Sequence, residues 1–222
     1  MPLRLHFLRH GQTAGSRDNV FCGRGLDIDL TPDGEAMAHA FAEFYRDVPW
    51  RAIYASPLRR TLATAAPTAA VTGLQVTPLP GLAEIDYGQW DGRSAEDVDH
   101  AFHDDYVRWT ADPAWNAPTG GETAIALAQR VLAAVQAIVA AEGGSEDGSH
   151  EAEGDVLVVS HKAAIRVALC GLLGVDVGRF RFRFACPTGS VSVVEFGAHG
   201  PMADAVADRG HLDRRLRGLK GT

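Results

Sequence analysis

Apolar residues recur at two different periods along this chain, and the periods alternate from one segment to the next. Leu3, Leu5 and Phe7 share one face at period two, which predicts a β-strand over residues 3–8. Short apolar runs predict further strands at residues 52–55, 74–79, 156–160 and 190–196. Apolar residues at helical spacing predict helices that begin near residues 31 and 56, and others over residues 125–139 and 162–173. We therefore expect an α/β protein, a three-layer sandwich with a mainly parallel central sheet flanked by helices.

Two helix starts carry a specific signal. Thr31-Pro32 and Ser56-Pro57 each place an N-cap residue before a proline at the first helical position. Pro67 is expected to limit or kink the second of these helices. No internal repeat or boundary interrupts the pattern, so residues 1–222 are predicted to form a single domain.

Some segments depart from the regular pattern. Residues 83–122, rich in Asp, His, Trp and Tyr, are predicted to be an irregular insertion over the sheet. Residues 178–184 alternate Arg and Phe, which predicts an extended strand; a basic rim for an anionic substrate is the alternative. Three tryptophans are expected to pack in the core or a lid, although one could line a pocket: Trp90, Trp109 and Trp115.

Charge is distributed unevenly along a chain of otherwise ordinary globular composition, with 46% hydrophobic and 22% charged residues. The net charge of −7 comes largely from residues 142–155, which hold six acids and no Lys or Arg. This Gly- and Ser-rich stretch is predicted to be an acidic flexible loop. The rest is nearly neutral, so no nucleic-acid partner is expected. The basic last dozen residues are predicted to be solvated.

Several other partners are not expected from the sequence. No unbroken apolar run approaches a membrane span, and the first residues do not resemble a signal peptide, so we predict a cytoplasmic protein without a membrane partner. Cys22, Cys170 and Cys186 form no CxxC pair and predict neither a disulfide framework nor a zinc site. His100 and His103 have no identifiable third ligand and are expected on the surface. No metal or cofactor is predicted.

Basic and imidazole side chains follow the predicted strands. Arg9 and His10 end the first strand, His161 follows the strand at 156–160, and Arg60 lies in the helix after the strand at 52–55. Ligands of open α/β sheets bind beyond the carboxyl ends of the strands. Guanidinium groups and helix N-termini are suited to phosphate. Each residue alone would more often be structural or solvated, but their convergence predicts a phosphate site.

These residues belong to five segments that resemble, in order, the motifs of the histidine phosphatase superfamily, which has the phosphoglycerate mutase-like fold. The resemblance spans residues 3–196. The segments are LRHGQT (8–13), SPLRRT (56–61), LAEIDYGQWDG (82–92), PTGGET (118–123) and VVSH (158–161).

The resemblance implies a role for each central residue. His10 is the expected nucleophile that forms a phosphohistidine, and a neutral imidazole, with an ordinary pKa of about 6.5, suits that role. Arg9, Arg60 and His161 are expected to neutralise the phosphoryl oxygens. The resemblance makes Glu84 the proton donor, although spacing alone does not separate it from Asp86.

The resemblance also implies a set of residues that bind the phosphate or the rest of the substrate: Gln12, Thr13, Ser16, Cys22, Gly23 and Lys162. Ser16 stands where the family often has Asn, and Lys162 where it usually has Gly. Lys162 either lies exposed with only its backbone N–H near the pocket, or places its ammonium at the pocket mouth to select a second anionic group. Thr188 also replaces a frequent Asn and is given no role.

The expected function is that of a metal-independent phosphatase that hydrolyses a small phosphorylated metabolite, such as a sugar phosphate or a phospho-carboxylic acid, through a phosphohistidine. A phosphoglycerate mutase using the same intermediate is the alternative. The segment after Glu84, residues 85–90, favours the phosphatase. A non-catalytic binding module is a third hypothesis, which the intact set of candidate catalytic residues disfavours. The protein is expected to be a monomer or a homodimer.

Overall fold

Strands from both halves of the chain form one six-stranded sheet in the computed structural model, which describes residues 2–143 and 154–221. The strand order is β3-β2-β4-β1-β5-β6. The strands β3, β2, β4 and β1 are parallel to one another, whereas β5 runs antiparallel to β1 and β6 runs antiparallel to β5. The strands are β1 (Leu3–Arg9), β2 (Trp50–Ala55), β3 (Val76–Pro78), β4 (Asp155–Ser160), β5 (Val191–Gly197) and β6 (Gly200–Asp208).

Helices cover both faces of this sheet. On one face α6 and α7 pack against Leu5 and Val158, and on the other α2 and α3 pack against Leu8 and Val159. The expected three-layer sandwich with a mainly parallel sheet is therefore confirmed. The described helices are α1 (Ala14–Arg17), α2 (Pro32–Phe44), α3 (Arg59–Thr72), α4 (Ala95–Ala101), α5 (His103–Ala111), α6 (Ala124–Glu142), α7 (Lys162–Leu172), α8 (Phe180–Arg183) and α9 (Arg214–Arg217).

The two predicted helix starts have different outcomes. The hydroxyl oxygen of Thr31 accepts a hydrogen bond from the Gly34 N–H at 3.1 Å, so α2 begins as expected. The second start is wrong, because α3 begins at Arg59 without a side-chain cap. The Ser56 hydroxyl instead contacts the His161 ring. Pro67 lies inside α3, which continues to Thr72.

One helix has the composition of a membrane span. Among the described residues, α6 is long and apolar enough to cross a membrane by length and composition alone. Its residues Leu127, Val131 and Val135 nevertheless lie in the core against the sheet. One face of α6 is therefore buried, as in a helix that covers the sheet of an α/β sandwich.

The segment of residues 83–122 is more regular than expected, since it contains α4 and α5. Trp90 and Trp109 are buried there and pack edge to face, with Phe21 against both rings. Trp115 is 73% exposed, so the prediction that it packs in the core or a lid is wrong.

Two later predictions are also corrected. Residues 178–184 form a 3-10 turn and α8 in place of a strand, and Phe182 is 61% exposed because a helical turn does not place alternate residues on one face. The basic tail is docked rather than solvated. Leu212 and Leu216 pack against Met37 of α2, and this buried apolar contact holds the tail on the body.

Both ends of the acidic stretch contact side chains of the folded body. Residues 144–153 lie outside the described residues. The Glu142 carboxylate ends α6 and accepts hydrogen bonds from Arg51 Nε at 3.0 Å and from the Tyr54 hydroxyl at 2.8 Å. Asp155 begins β4 and contacts His6 Nε2 at 2.7 Å. The prediction of a flexible loop over all of residues 142–155 is therefore wrong at both ends, because these carboxylates pair with side chains of the body.

We predict that residues 144–153 can be replaced by a five-residue Gly/Ser linker with little loss of stability. Glu142 and Gly154 both lie against Arg51, so a short linker can join them. Halving a loop changes its closure free energy by only about 0.6 kcal/mol. In thermal unfolding the midpoint should move by less than about 3 °C, since about 1 kcal/mol corresponds to 2–4 °C at this size.

The matched control is Glu142→Ala, which leaves Arg51 and Tyr54 without their acceptor. This substitution should destabilise the fold by about 1–3 kcal/mol. A loss of the same size in the linker variant would contradict the prediction.

Candidate active site

Three parallel strands end at the same edge of the sheet. The register pairs Arg9 of β1 with Ser160 of β4, and Ala55 of β2 with Val159 of β4. The pairing continues one residue further, since the His10 N–H donates to the Ser160 carbonyl and the Ser56 N–H to the Val159 carbonyl, both at 3.0 Å. His10, Ser56 and His161, each following one of these strands, therefore lie side by side.

The His10 ring is held in one tautomer. Its Nδ1 lies 2.7 Å from the carbonyl oxygen of Gly11, and because a carbonyl only accepts, Nδ1 carries the proton. Nε2 therefore keeps its lone pair. Gly11 permits this turn, because a Cβ there would lie 2.2 Å from the Gly34 carbonyl oxygen.

His161 packs edge to face against His10, with ring centroids 5.2 Å apart. Arg60 Nε donates to His161 Nδ1 at 3.2 Å, so in the neutral ring the proton is on Nε2, which donates to the Ser56 hydroxyl at 2.8 Å. Burial, followed by the guanidinium charge of Arg60, lowers the pKa of both imidazoles well below the ordinary value. Both rings are therefore neutral near pH 7.

Arg60 is buried next to the His161 ring and is held by backbone oxygens. Its Nη1 donates to the Leu26 carbonyl at 2.8 Å and its Nη2 to the Gly23 carbonyl at 3.1 Å. The guanidinium charge is thereby fixed next to the imidazole pair without a carboxylate partner among the described residues.

Glu84 lies across from these residues at the N-terminus of α7. Its carboxylate accepts from the N–H groups of Ala163 and Ala164, both at 3.2 Å. Arg130 donates to the Glu84 carbonyl at 2.8 Å and forms a 2.6 Å ion pair with Glu122. The backbone of Glu84 is thus held by Arg130, whereas its carboxylate is held by α7.

A cavity of about 210 Å³ opens in front of His10. Seven of the predicted site residues line it: Arg9, His10, Thr13, Ser16, Cys22, Glu84 and Lys162. Arg9 Nη1 donates to the Cys186 carbonyl at 2.6 Å, and burial lowers the pKa of the Arg9 guanidinium. Burial beside Arg9 and Arg166 lowers the pKa of Lys162 to about 8. The Lys162 side chain therefore lines the cavity and is only partly exposed, as in the second of the two alternatives.

Four predicted site residues do not line this cavity. Arg60 and His161 are fully buried beside His10 and do not line the cavity. Their expected contact with the phosphoryl oxygens stays a prediction. The Gln12 amide donates to the Lys220 carbonyl at 2.6 Å, away from the cavity. The Gly23 N–H is taken by Asp91 Oδ1 at 2.5 Å, and the carbonyl by Arg60, so Gly23 positions Arg60.

Thr13 and Ser16 reach the cavity wall through the cap of α1. The Ser16 N–H donates to the Thr13 hydroxyl at 3.1 Å, and the Thr13 N–H donates to the Ser16 hydroxyl at 2.9 Å. Cys22 is half-buried, and burial raises the pKa of its thiol. The thiol is therefore neutral beside the cavity.

Sequence reasoning missed several cavity residues. Arg166 lies one helical turn after Lys162 on α7, a spacing that could have indicated a shared face. Arg181 belongs to the segment for which a basic rim was the alternative, and Trp109 is the tryptophan that lines the pocket. Thr188 is fully buried against Gly221, and its hydroxyl has no hydrogen-bond partner in the described part of the chain.

Residues 5–209 match the family model described as the histidine phosphatase superfamily (branch 1). The chain belongs to this superfamily. It is 31% identical over 192 residues to phosphoserine phosphatase 1 of Hydrogenobacter thermophilus, covering 86% of each chain. It is 33% identical over 174 residues to glucosyl-3-phosphoglycerate phosphatase of Mycolicibacterium vanbaalenii, covering 78% of this chain and 76% of the relative.

The solved structure of a mycobacterial glucosyl-3-phosphoglycerate phosphatase superposes with a TM-score of 0.80 at 29% identity, covering 93% of this chain and 99% of the other. Similarity therefore extends over nearly the whole histidine phosphatase fold. In the described parts of the chain, no group of three or more His, Cys, Asp or Glu residues could hold a metal ion. The exposed His100 and His103 accordingly belong to no such group, and His103 pairs with Asp99.

We predict that His10 and His161 stay neutral as the pH falls from about 7.5 to 6, because the pKa of each is lowered. In ¹⁵N-histidine NMR spectra their ring signals should not titrate in this range, with His10→Asn and His161→Asn used for assignment. The unfolded chain binds protons there and the folded chain does not, so the free energy of unfolding should decrease below about pH 6.5. A titration midpoint at or above 6.5 for either ring would contradict the prediction.

We also predict that Arg130→Met lowers kcat by about 10- to 100-fold with a smaller change in KM, because displacing Glu84, the expected proton donor, affects the transition state. Arg130 is a positioning residue, since it holds the Glu84 backbone. The control is Arg51→Met, which breaks an ion pair of 3.0 Å remote from the cavity. Equal kcat values in the two variants would refute the role of Arg130, whereas partial rescue by Arg130→Lys would support it.

Proposed function

We propose that this protein is a metal-independent phosphatase of small phosphorylated metabolites, a phosphoric monoester hydrolase that works through a phosphohistidine. The observation that carries the proposal is the fixed tautomer of His10, which leaves the Nε2 lone pair on a ring that lines the cavity. Arg9 and Glu84 line the same cavity. Membership of the superfamily and relatives named as phosphatases support the same reaction.

In the first half-reaction, Nε2 of His10 attacks phosphorus in line and the bond to the leaving oxygen breaks. Glu84, in its protonated form, gives its proton to that oxygen, so the product leaves as an alcohol. The Arg9 guanidinium stabilises the charge that spreads over the phosphoryl oxygens. Burial, followed by the positive charge of Arg60, lowers the pKa of His10 and favours the neutral nucleophile.

In the second half-reaction, a water molecule replaces the alcohol and attacks the phosphohistidine. Glu84 takes a proton from this water, the P–N bond breaks, and inorganic phosphate leaves. His10 is then restored to its starting tautomer by the Gly11 carbonyl, which holds the Nδ1 proton throughout.

The phosphatase is favoured over the mutase by the relatives, which are named phosphoserine phosphatase and glucosyl-3-phosphoglycerate phosphatase. A mutase must transfer the phosphoryl group to a second organic acceptor, whereas a phosphatase needs only water. The other expectations are part of the proposal: a monomer or homodimer in the cytoplasm, without a nucleic-acid or membrane partner.

We predict that a labelled phosphoryl donor leaves phosphate on the protein in an acid-labile, base-stable form, as expected of a phosphohistidine. The reaction is run with p-nitrophenyl phosphate for turnover and ³²P-labelled acetyl phosphate for trapping, both in EDTA. His10→Ala should abolish label and turnover, because the attacking nitrogen is removed. The control His103→Ala removes an exposed histidine outside the cavity and should retain both.

Stable label in His10→Ala would overturn the assignment of the nucleophile. Turnover that is lost in EDTA and restored by Mg²⁺ or Mn²⁺ would overturn the metal-independent mechanism. Turnover without any trapped label in the wild type, on a quench time scale shorter than one turnover, would overturn the covalent intermediate.

A further inference from the structure

Three cations lie between the catalytic cavity and a second pocket. Lys162, Arg166 and Arg181 line the cavity of His10, and the same three line a more open pocket of about 450 Å³. The second pocket is completed by Phe182, Ala185, Cys186 and Pro187, and it does not include His10, Arg9 or Glu84. The three cations therefore extend the site away from the scissile bond.

The fold holds these side chains together. Lys162 and Arg166 are one helical turn apart on α7 and share a face. Arg181 comes from α8, and its guanidinium carbon lies 4.1 Å from the centroid of the Trp109 ring. Stacking on an aromatic face leaves the guanidinium edge available for hydrogen bonds. Because Trp109 is itself buried among aromatic rings, Arg181 has a rigid support.

None of the three forms an ion pair with a carboxylate within residues 2–143 and 154–221. Arg166 Nε and Arg181 Nη1 are buried and make no hydrogen bond there. Elsewhere half-exposed arginines such as Arg24, Arg108 and Arg215 are paired with aspartates. Buried charged donors are normally satisfied, so the unused donors indicate that an anionic ligand is to be bound.

The positive charge exceeds what a phosphoryl group requires. Arg9 already lies beside His10 in the cavity. Within the described parts of the chain, Glu84 is the only carboxylate that lines either pocket. The pKa of Lys162 is lowered to about 8 by burial and by Arg9 and Arg166, as expected where like charges lie close together without a bound anion.

We propose that Lys162, Arg166 and Arg181 form a second anion subsite, so that the substrate is a phosphomonoester that carries a further anionic group, a carboxylate or a second phosphate, away from the scissile bond. This inference rests on the proposed phosphatase function and specifies its substrate class. The reacting phosphate binds at His10 and Arg9, while the second group accepts hydrogen bonds from the two arginines and charge from Lys162.

The test uses alkylphosphonates, which bind without turnover, at chain lengths of two and three carbons. The far end of each chain is a methyl group, a carboxylate or a second phosphonate. Binding to the wild type is measured by calorimetry. The two-anion ligands should bind at least about 10-fold more tightly than the methyl-ended ones, as expected for charge-assisted hydrogen bonds.

The variants Arg166→Gln and Arg181→Gln should each reduce this preference by about 5- to 10-fold. The matched control is Arg183→Gln, because Arg183 is exposed on α8 and lines neither pocket. It should keep the wild-type preference. The carboxylate-ended and phosphonate-ended ligands are then compared in Arg166→Gln and Arg181→Gln. The ligand whose affinity falls more identifies the second anion as a carboxylate or a phosphate.

Turnover by the wild type of p-nitrophenyl phosphate and of phosphoglycolate, a phosphomonoester with a far carboxylate, is measured in parallel and separates the two proposals. Turnover together with equal binding of all ligand ends would overturn the subsite and leave the phosphatase intact. A two-anion preference that depends on Arg166 and Arg181 in a protein without turnover would support anion binding but overturn the phosphatase. A preference that persists in both variants would overturn the assignment of these residues.

Discussion

The parallel register between β1 and β4 is the constraint on which the site depends. Pairing of Arg9 with Ser160 brings the residues after both strands to one point, and His10 and His161 meet there with centroids 5.2 Å apart. A slip of one residue would turn alternate side chains to the opposite face of the sheet. The buried strand residues Leu5, Phe7 and Val158 oppose such a slip, so packing in the core sets the geometry at the edge.

Polar contacts then adjust what the register brings together. Ser160, the last residue of β4, donates from its hydroxyl to the Leu82 carbonyl at 2.8 Å. This bond attaches the segment that carries Glu84 to the same strand that carries His161. The Glu84 carboxylate in turn accepts from the start of α7, the helix that follows His161. Glu84, the proposed proton donor, is therefore held from both sides of His161, by Ser160 at the end of β4 and by the start of α7.

The sequence predicted the elements whose signals are local. The period-two pattern of β1 and the Thr31 cap of α2 were both found, because each depends on residues that are neighbours in the chain. The β6 strand was missed, since its apolar residues are mainly alanines with little strand preference. The local pattern predicts Ser56 as a cap, whereas its contact with His161 joins residues 105 positions apart and leaves no local signal.

The site residues, too, could be predicted where the signal is local and not where it depends on contacts between distant residues. The five segments of the family resemblance contain Arg9, His10, Thr13, Glu84 and Tyr87, which line the cavity. Proximity in sequence misplaces Gln12, whose amide contacts the C-terminal tail. Arg166 and Arg181 come from two different helices, and only the folded chain brings them to one cavity. Composition predicts a single acidic loop, although Glu142 and Asp155 at its ends have partners in the body.

The division of charge in the site follows from the different titration of arginine and histidine. Burial lowers the pKa of both types, but an arginine starts so high that it stays charged, whereas a histidine becomes neutral. The fold can therefore place Arg9 and Arg60 around His10 and obtain a positive site with a neutral imidazole. Burial and then the charge of Arg60 act in two opposing ways on this proposed nucleophile: they make the ring less basic, and they disfavour the protonation that would remove the lone pair. At neutral pH the second effect is the more useful, because a protonated imidazole cannot attack phosphorus at all, while a weakly basic one still does so and then leaves more readily from the phosphohistidine.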